Sequence, residues 1–271
     1  MTTNSPTLQR NIGLLALTLF GVGDILGAGV YGLIGKAAGE MGYAVWLAFL
    51  VSMIAAGLTG LSYASLGSRF PRAGGAAYVT LRAYRKPFLS YLVGLAVLAS
   101  GLTSMATAAR VFAGYLNGMM PALPPLLIAL GFSMLIAAVV FRGIRESLFA
   151  NGIFTLVEVS GLMLIVITGV PYLGDVNYLD AATPANLAGD ISLSLALTGA
   201  VLTFYSFVGF EDMLNVAEEV KDPHRTLPRG LLLAVLIASL IYMTISLVAV
   251  SVLAPTALAA SPQPLVEVAA Q

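Results

Sequence analysis

The sequence has no cysteine, a single histidine and little charge, with 13 basic and 13 acidic residues among 271. Without cysteine there is no disulfide, no thiolate metal site and no cysteine nucleophile, and redox compartment leaves no trace. The one histidine, His224, follows Pro223 in a polar stretch, which argues against a metal or general-base role. No H-E-x-x-H zinc pair is present. An intramembrane enzyme would therefore lack its usual groups, and neither enzymatic chemistry nor a cofactor is expected. Charged residues make up 10% of the chain, against about 25% in soluble domains. Zero formal net charge suggests no polyanionic partner, so nucleic acid is not expected.

What the chain has is apolar length. Hydrophobic residues reach 59%, and mean hydropathy is +0.94. Crossing roughly 30 Å of hydrocarbon takes about 20 apolar residues. Such runs lie near residues 12–35, 43–66, 88–117, 124–141, 147–170, 191–217 and 229–253, which predicts an all-α integral membrane protein with seven transmembrane helices. The first run is longer than the 7–15 residues of a signal-peptide core and carries Asp24, so it reads as a span.

Cytoplasmic loops hold an excess of Lys and Arg. With the N-terminus inside, eleven of thirteen basic residues fall on one side: Arg10, Arg69, Arg72, Arg82, Arg85, Lys86, Arg142, Arg145, Lys221, Arg225 and Arg229. Only Lys36 and Arg110 fall on the other, where the 171–190 loop carries Asp175, Asp180 and Asp190. The expected location is the plasma (inner) membrane. The basic loop from Arg69 to Lys86 reads as a topology signal, with anionic-lipid binding as the alternative. Pro87, the Pro121, Pro124 and Pro125 cluster, and the Pro223 and Pro228 pair punctuate the connections.

Two spans are interrupted. Residues 12–34 carry Gly21, Gly23, Asp24, Gly27, Gly29 and Gly32, and the span 191–216 contains the stretch FYSFVGFE from Phe204 to Glu211. Loosened backbone at membrane depth is tolerated only against protein or a wet cavity, since lipid cannot hydrogen-bond it. Paired interruptions in corresponding spans point to a transporter binding site. The breaks lie five spans apart, and an odd repeat of five must invert. Small residues such as Gly23 and Gly27 also serve close helix packing. The spacing G-x-G-x-x-G at Gly27, Gly29 and Gly32 lies inside an apolar span and not in a βαβ unit, so it is no dinucleotide motif.

Three stretches now resemble one family. GVGDILGAGVY from Gly21 to Tyr31 is similar to the glycine-rich first break of the amino acid-polyamine-organocation transporters. FPRAGGAAY from Phe70 to Tyr78 resembles their re-entrant cytoplasmic loop, and EEVKDPHRTLPR from Glu218 to Arg229 resembles the loop after their sixth span. The resemblance implies a five-plus-five inverted-repeat, LeuT-like fold carrying amino acids or related amines by alternating access. Residues 12–170 would form the first five-helix repeat, and 191–253 the first two helices of the second. That fold would be incomplete, with spans one and six broken and the chain reading as truncated after the seventh span.

By the same resemblance, Ile25, Leu26, Gly27, Ala28 and Gly29 would hold a substrate carboxylate, while carbonyls around Phe204, Tyr205 and Ser206 would receive the ammonium group, with Tyr205 as the aromatic cap. The physical reason is that N–H groups at the start of an outer half-helix carry partial positive charge.

Charges inside spans default to functional candidates. Asp24 lies in the first break, where it either acts on an ion or satisfies loosened backbone. Glu158 lies in the fifth span, where some family members place a lysine that substitutes for sodium. Burial disfavours the charged form of a carboxyl, which suits a proton carrier; the alternative is a structural hydrogen bond. Glu211 matches a position where several family members hold a glutamate linked to proton-dependent gating, or is simply hydrated at the cytoplasmic end. Arg110 reads as a snorkelling side chain. The expected partners are a small amino acid, the bilayer and a coupling ion, with a proton favoured over sodium. The function read here is a secondary amino acid transporter, symporter or exchanger; the alternatives are an inactive permease fragment and a seven-span receptor or sensor.

Overall fold

The computed structural model describes residues 10–271, without the side chains of 144–148, so the first nine residues and the Arg145 side chain lie outside it. Among the described residues every regular element is helical, and β structure is limited to two isolated bridges. The eleven α-helices are α1 (Leu14–Ile25), α2 (Ala28–Met41), α3 (Val45–Arg69), α4 (Gly75–Tyr84), α5 (Pro87–Met119), α6 (Pro125–Phe141), α7 (Ile144–Gly169), α8 (Leu193–Phe204), α9 (Pro223–Val252), α10 (Pro255–Ala260) and α11 (Pro264–Ala269).

Among the described residues five helical stretches are long and apolar enough to cross a membrane: Ala28–Arg69, Pro87–Met119, Phe149–Tyr172, Leu193–Leu214 and Pro223–Val252. Two further apolar helices, α1 and α6, are shorter, at 12 and 17 residues. The first apolar run is thus divided. Its first half is α1, and its second half, α2, is followed by a 3-10 turn at Gly42–Ala44 that leads into α3.

Local chemistry sets the helix ends. Pro87, Pro125 and Pro223 occupy first positions, where a missing N–H costs nothing. Ser192 caps α8, its hydroxyl accepting from the Leu195 N–H at 3.1 Å. The predicted re-entrant loop contains the short helix α4, entered through Gly75 at φ 48°.

The core lies where α1, α3 and α9 meet. Leu17, Phe49, Met213, Leu231, Tyr242 and Ile245 are fully or almost fully buried there. Small residues permit the approach: a side chain at Gly230 would meet Leu17, and one at Gly60 would meet Leu231. Helix α3 is tied to α8 by Ser52, whose hydroxyl donates to the Ala200 carbonyl or pairs with the Thr203 hydroxyl, both at 2.8 Å. By contrast α5 buries only Ala109 and Ala113 and leaves Phe88, Tyr91, Leu98 and Leu102 exposed. An apolar, exposed helix of 33 residues is what a membrane or further helices would cover.

Candidate functional site

Both interruptions are real breaks in helix geometry. Helix α1 ends at Ile25, Leu26 is extended at ψ 160°, and Gly27 takes φ 140°, a conformation open to glycine, before α2 restarts at Ala28. Helix α8 ends at Phe204, a 3-10 turn spans Tyr205–Phe207, Val208 is extended, and Gly209 takes φ 132° ahead of a second 3-10 turn at Phe210–Leu214.

The two breaks face each other. A Cβ at Gly29 would sit 2.7 Å from the Ser206 Cα, and one at Gly209 would run into the Asp24 carbonyl. Neither position has room for a side chain. The breaks are also joined by a third element: the Tyr242 hydroxyl on α9, fully buried, lies 2.5 Å from the Ile25 carbonyl oxygen and 2.8 Å from that of Ser206. Its ring is held edge-on by Phe207 at 5.3 Å and at a tilt by Phe49 at 5.5 Å.

A cavity of about 260 Å³ opens at this junction, lined by residues 23–29, by Tyr205, Ser206 and Val208, and by Ser104, Met105 and Ala108 of α5. Asp24, Ile25, Leu26, Gly27, Ala28, Gly29, Tyr205 and Ser206 are therefore brought to one wall-to-wall space. Phe204 closes α8 without lining it. Glu211 stands apart from the lining, its carboxylate accepting from the Gly209 N–H at 2.9 Å, so it supports the second break directly. Glu158 lies on α7, half-buried, outside the lining, with one carboxylate oxygen buried and unpartnered among the described residues.

The polar groups of the cavity are distributed asymmetrically. On the α2 side, the amides of Gly27, Ala28 and Gly29 have no hydrogen-bond partner among the described residues. A helix start of this kind favours an anionic group. On the other side stand the carboxyl-terminal ends of α1 and α8, which favour a cation. One Asp24 carboxylate oxygen and the Ser206 hydroxyl are buried there without a partner. No group of His, Asp and Glu among the described residues is placed to hold a metal ion.

Sequence reasoning missed Tyr242 and the α5 contribution. Tyr242 is one tyrosine in an apolar helix, a weak signal; Ser104, Met105 and Ala108 recur at helical spacing within an ordinary span and give none. A second cavity, of about 280 Å³, lies along α2 and α5 and takes in Lys36 and Arg110, the two basic residues apart from the other eleven.

Apolar helices of spanning length, two of them broken around a shared cavity, are what an integral membrane protein presents. The chain belongs to the amino acid permease family, which matches residues 12–271. It is 30% identical to cationic amino acid transporter 9, chloroplastic, of Arabidopsis thaliana, over 98% of this chain and 49% of the relative. It is 31% identical to cationic amino acid transporter 4 of Homo sapiens, over 91% of this chain and 41% of the relative. The branched-chain amino acid permease BcaP of Bacillus subtilis is 26% identical, over 93% and 57%. The chain thus spans about half the length of these relatives, which are named as transporters and permeases, not enzymes.

Proposed function

We propose that this chain forms the substrate-binding part of a secondary active transporter that carries amino acids by alternating access. The observation that carries the reading is the cavity between the two helix breaks, with unpaired amides on one wall and helix carboxyl ends on the other. That polarity is complementary to an amino acid zwitterion. Its carboxylate meets the amides at Gly27, Ala28 and Gly29, and its ammonium meets the carbonyls around Phe204, Tyr205 and Ser206. The relatives' names support the substrate class.

In this reading the chain contributes seven spans, with α1 and α2 as the two halves of the first and α8 with its 3-10 turns as the sixth. Residues 12–170 are the first repeat of an inverted pair, and 191–253 the opening helices of the second. The basic-residue bias supports a cytoplasmic N-terminus in the plasma (inner) membrane. Glu158, buried and unpartnered at one oxygen, is the proton-coupling group, and Glu211 links gating to the second break.

The test is uptake of labelled amino acids by proteoliposomes holding the native gene product. Saturation and counterflow, in which internal unlabelled substrate accelerates entry of label, are expected of a carrier. Binding without counterflow would sink the carrier reading in favour of a receptor or an inactive fragment.

A further inference from the structure

Helix α2, helix α5 and the connection from α10 to α11 wall the second cavity, of about 280 Å³. They are pinned where they meet. The Tyr115 hydroxyl on α5 donates to the Tyr31 carbonyl at 3.1 Å, and the Gln263 side chain donates to the Gly114 and Tyr115 carbonyls at 2.8 and 3.2 Å. Glycine lets the connection come this close: a Cβ at Gly35 would run into the Leu258 carbonyl, and one at Gly118 into Gln263. To this wall α2 and α5 each contribute one cation, Lys36 and Arg110. Neither has a hydrogen-bond or ion-pair partner among the described residues, and the lining holds no aspartate or glutamate. Glu267 reaches the same connection, but its carboxylate accepts from the Ser261 hydroxyl at 2.6 Å. Glu40, next along α2 from Lys36 among the charged residues, lines a different cavity.

Two like charges on the walls of one cavity repel each other, and the repulsion grows as water is excluded. An anion between them reverses the sign. A guanidinium fork matches the two oxygens of a carboxylate, and an ammonium adds a compact second charge. The rest of the wall includes Val111, Leu258, Pro262 and Pro264, which suit a short aliphatic chain and would gain nothing from a bare inorganic ion. We propose that Lys36 and Arg110 form a binding site for a small aliphatic carboxylate, separate from the cavity between the breaks. The site lies along the same two helices as that cavity, beyond the residues of α2 and α5 that line it. A free carboxylic acid anion and the carboxylate of an amino acid share this chemistry. The inference goes beyond the zwitterion site and does not depend on it.

The experiment measures binding of labelled propionate to the purified native gene product, in a buffer low in other anions, for the unaltered protein and for Lys36→Gln, Arg110→Gln and Arg110→Lys. Arg142→Gln, an exposed basic position outside the cavity, is the control for charge alone. Hydrogen bonds between charged partners are the strong ones, so Lys36→Gln and Arg110→Gln should each weaken propionate at least about tenfold. Arg110→Lys, which keeps the charge and loses the fork, should fall between, and Arg142→Gln should bind as the unaltered protein does. Propionate held at the amides of the first cavity would persist in every variant, and that result would overturn the proposal. So would inorganic phosphate displacing the label at lower concentration than unlabelled propionate, which would mark a phosphate site instead. Unlabelled leucine then separates the sources: displacement of the Lys36- and Arg110-dependent label assigns the site to amino acids, and its retention assigns it to a free acid. The readout needs no transport. A chain that shows no counterflow yet loses propionate in both glutamine variants keeps this site while the transporter reading fails.

Discussion

Replacing Tyr242 by Phe removes one hydroxyl from the junction of the two breaks and little else. The Phe49 and Phe207 contacts are made by the ring and survive, so the apolar burial is unchanged. What is lost is the donor that serves the Ile25 and Ser206 carbonyls, at 2.5 and 2.8 Å, from a fully buried tyrosine. Leaving a buried acceptor unpaired costs about 1–3 kcal/mol. With a shift of about 2–4 °C per kcal/mol for a domain of comparable size, the melting temperature should fall by on the order of 2–12 °C. The assay is thermal unfolding in a mild detergent, followed by intrinsic fluorescence, with Thr244→Val as control. The Thr244 hydroxyl returns to the Leu240 carbonyl on its own exposed helix face, so its loss should leave the midpoint unchanged. If Tyr242→Phe melts with the unaltered protein and the control, the hydroxyl does not hold the breaks together, and the account of the site's rigidity is wrong.

Three further expectations concern other links in the same assembly. Gly209→Ala forces a side chain onto φ 132° and against the Asp24 carbonyl; strain on the order of 1–3 kcal/mol should show as a lowered midpoint, and an unaltered midpoint would mean that the breaks separate freely. Ser52→Ala removes the buried tie between α3 and α8. Its cost should be about 0.6 kcal/mol and at most about 1.7, as for other hydrogen bonds between membrane helices; a larger loss by reversible unfolding would show that the tie does more than join two helices. Glu158→Gln keeps the shape of the side chain and removes its ability to release a proton. Uptake driven by an imposed pH gradient should be lost while counterflow persists; a retained pH response would take Glu158 out of the coupling path.

How much of this was legible beforehand depends on the kind of signal. The breaks were, because glycine and polar residues at Gly27, Asp24 and Gly209 stand out against a background of leucine and valine, and a helix cannot run through the conformations that Gly27 and Gly209 adopt. That the two breaks belong to one site was suggested by their pairing in corresponding spans, and the residues assigned to each wall came from the resemblance, since no local pattern records which distant segment a loosened backbone faces. The contribution of α5 was invisible: Ser104, Met105 and Ala108 have the composition of any span, and only tertiary packing decides which stripe of an evenly apolar helix turns inward. Tyr242 was equally hidden, because a hydroxyl in an apolar helix has several ordinary uses. The apolar runs indicated spans, and the structure places a turn at Gly42–Ala44, with Gly42 at φ 60°, between the first and second runs.

Several of the backbone groups that the breaks release find partners within the chain. The Leu26 N–H returns to the Val22 carbonyl at 2.8 Å, the Val208 N–H to Tyr205 at 3.2 Å, and the Gly209 N–H goes to Glu211. The Gly209 carbonyl accepts from the Asp212 N–H at 2.9 Å, and the Ile25 and Ser206 carbonyls face Tyr242. Ahead of α1, Ile12 exchanges bonds with Glu219 and Lys221 at 2.9 and 2.8 Å, tying the start of α1 onto the chain that follows the second break, and Arg72 pairs with Glu218. The amides of Gly27, Ala28 and Gly29 have no partner among the described residues, and these residues line the cavity. Buried backbone donors are rarely left without a partner. A helix start whose free donors line a cavity suits an acceptor from outside, and a carboxylate supplies one in the orientation that the start of α2 favours.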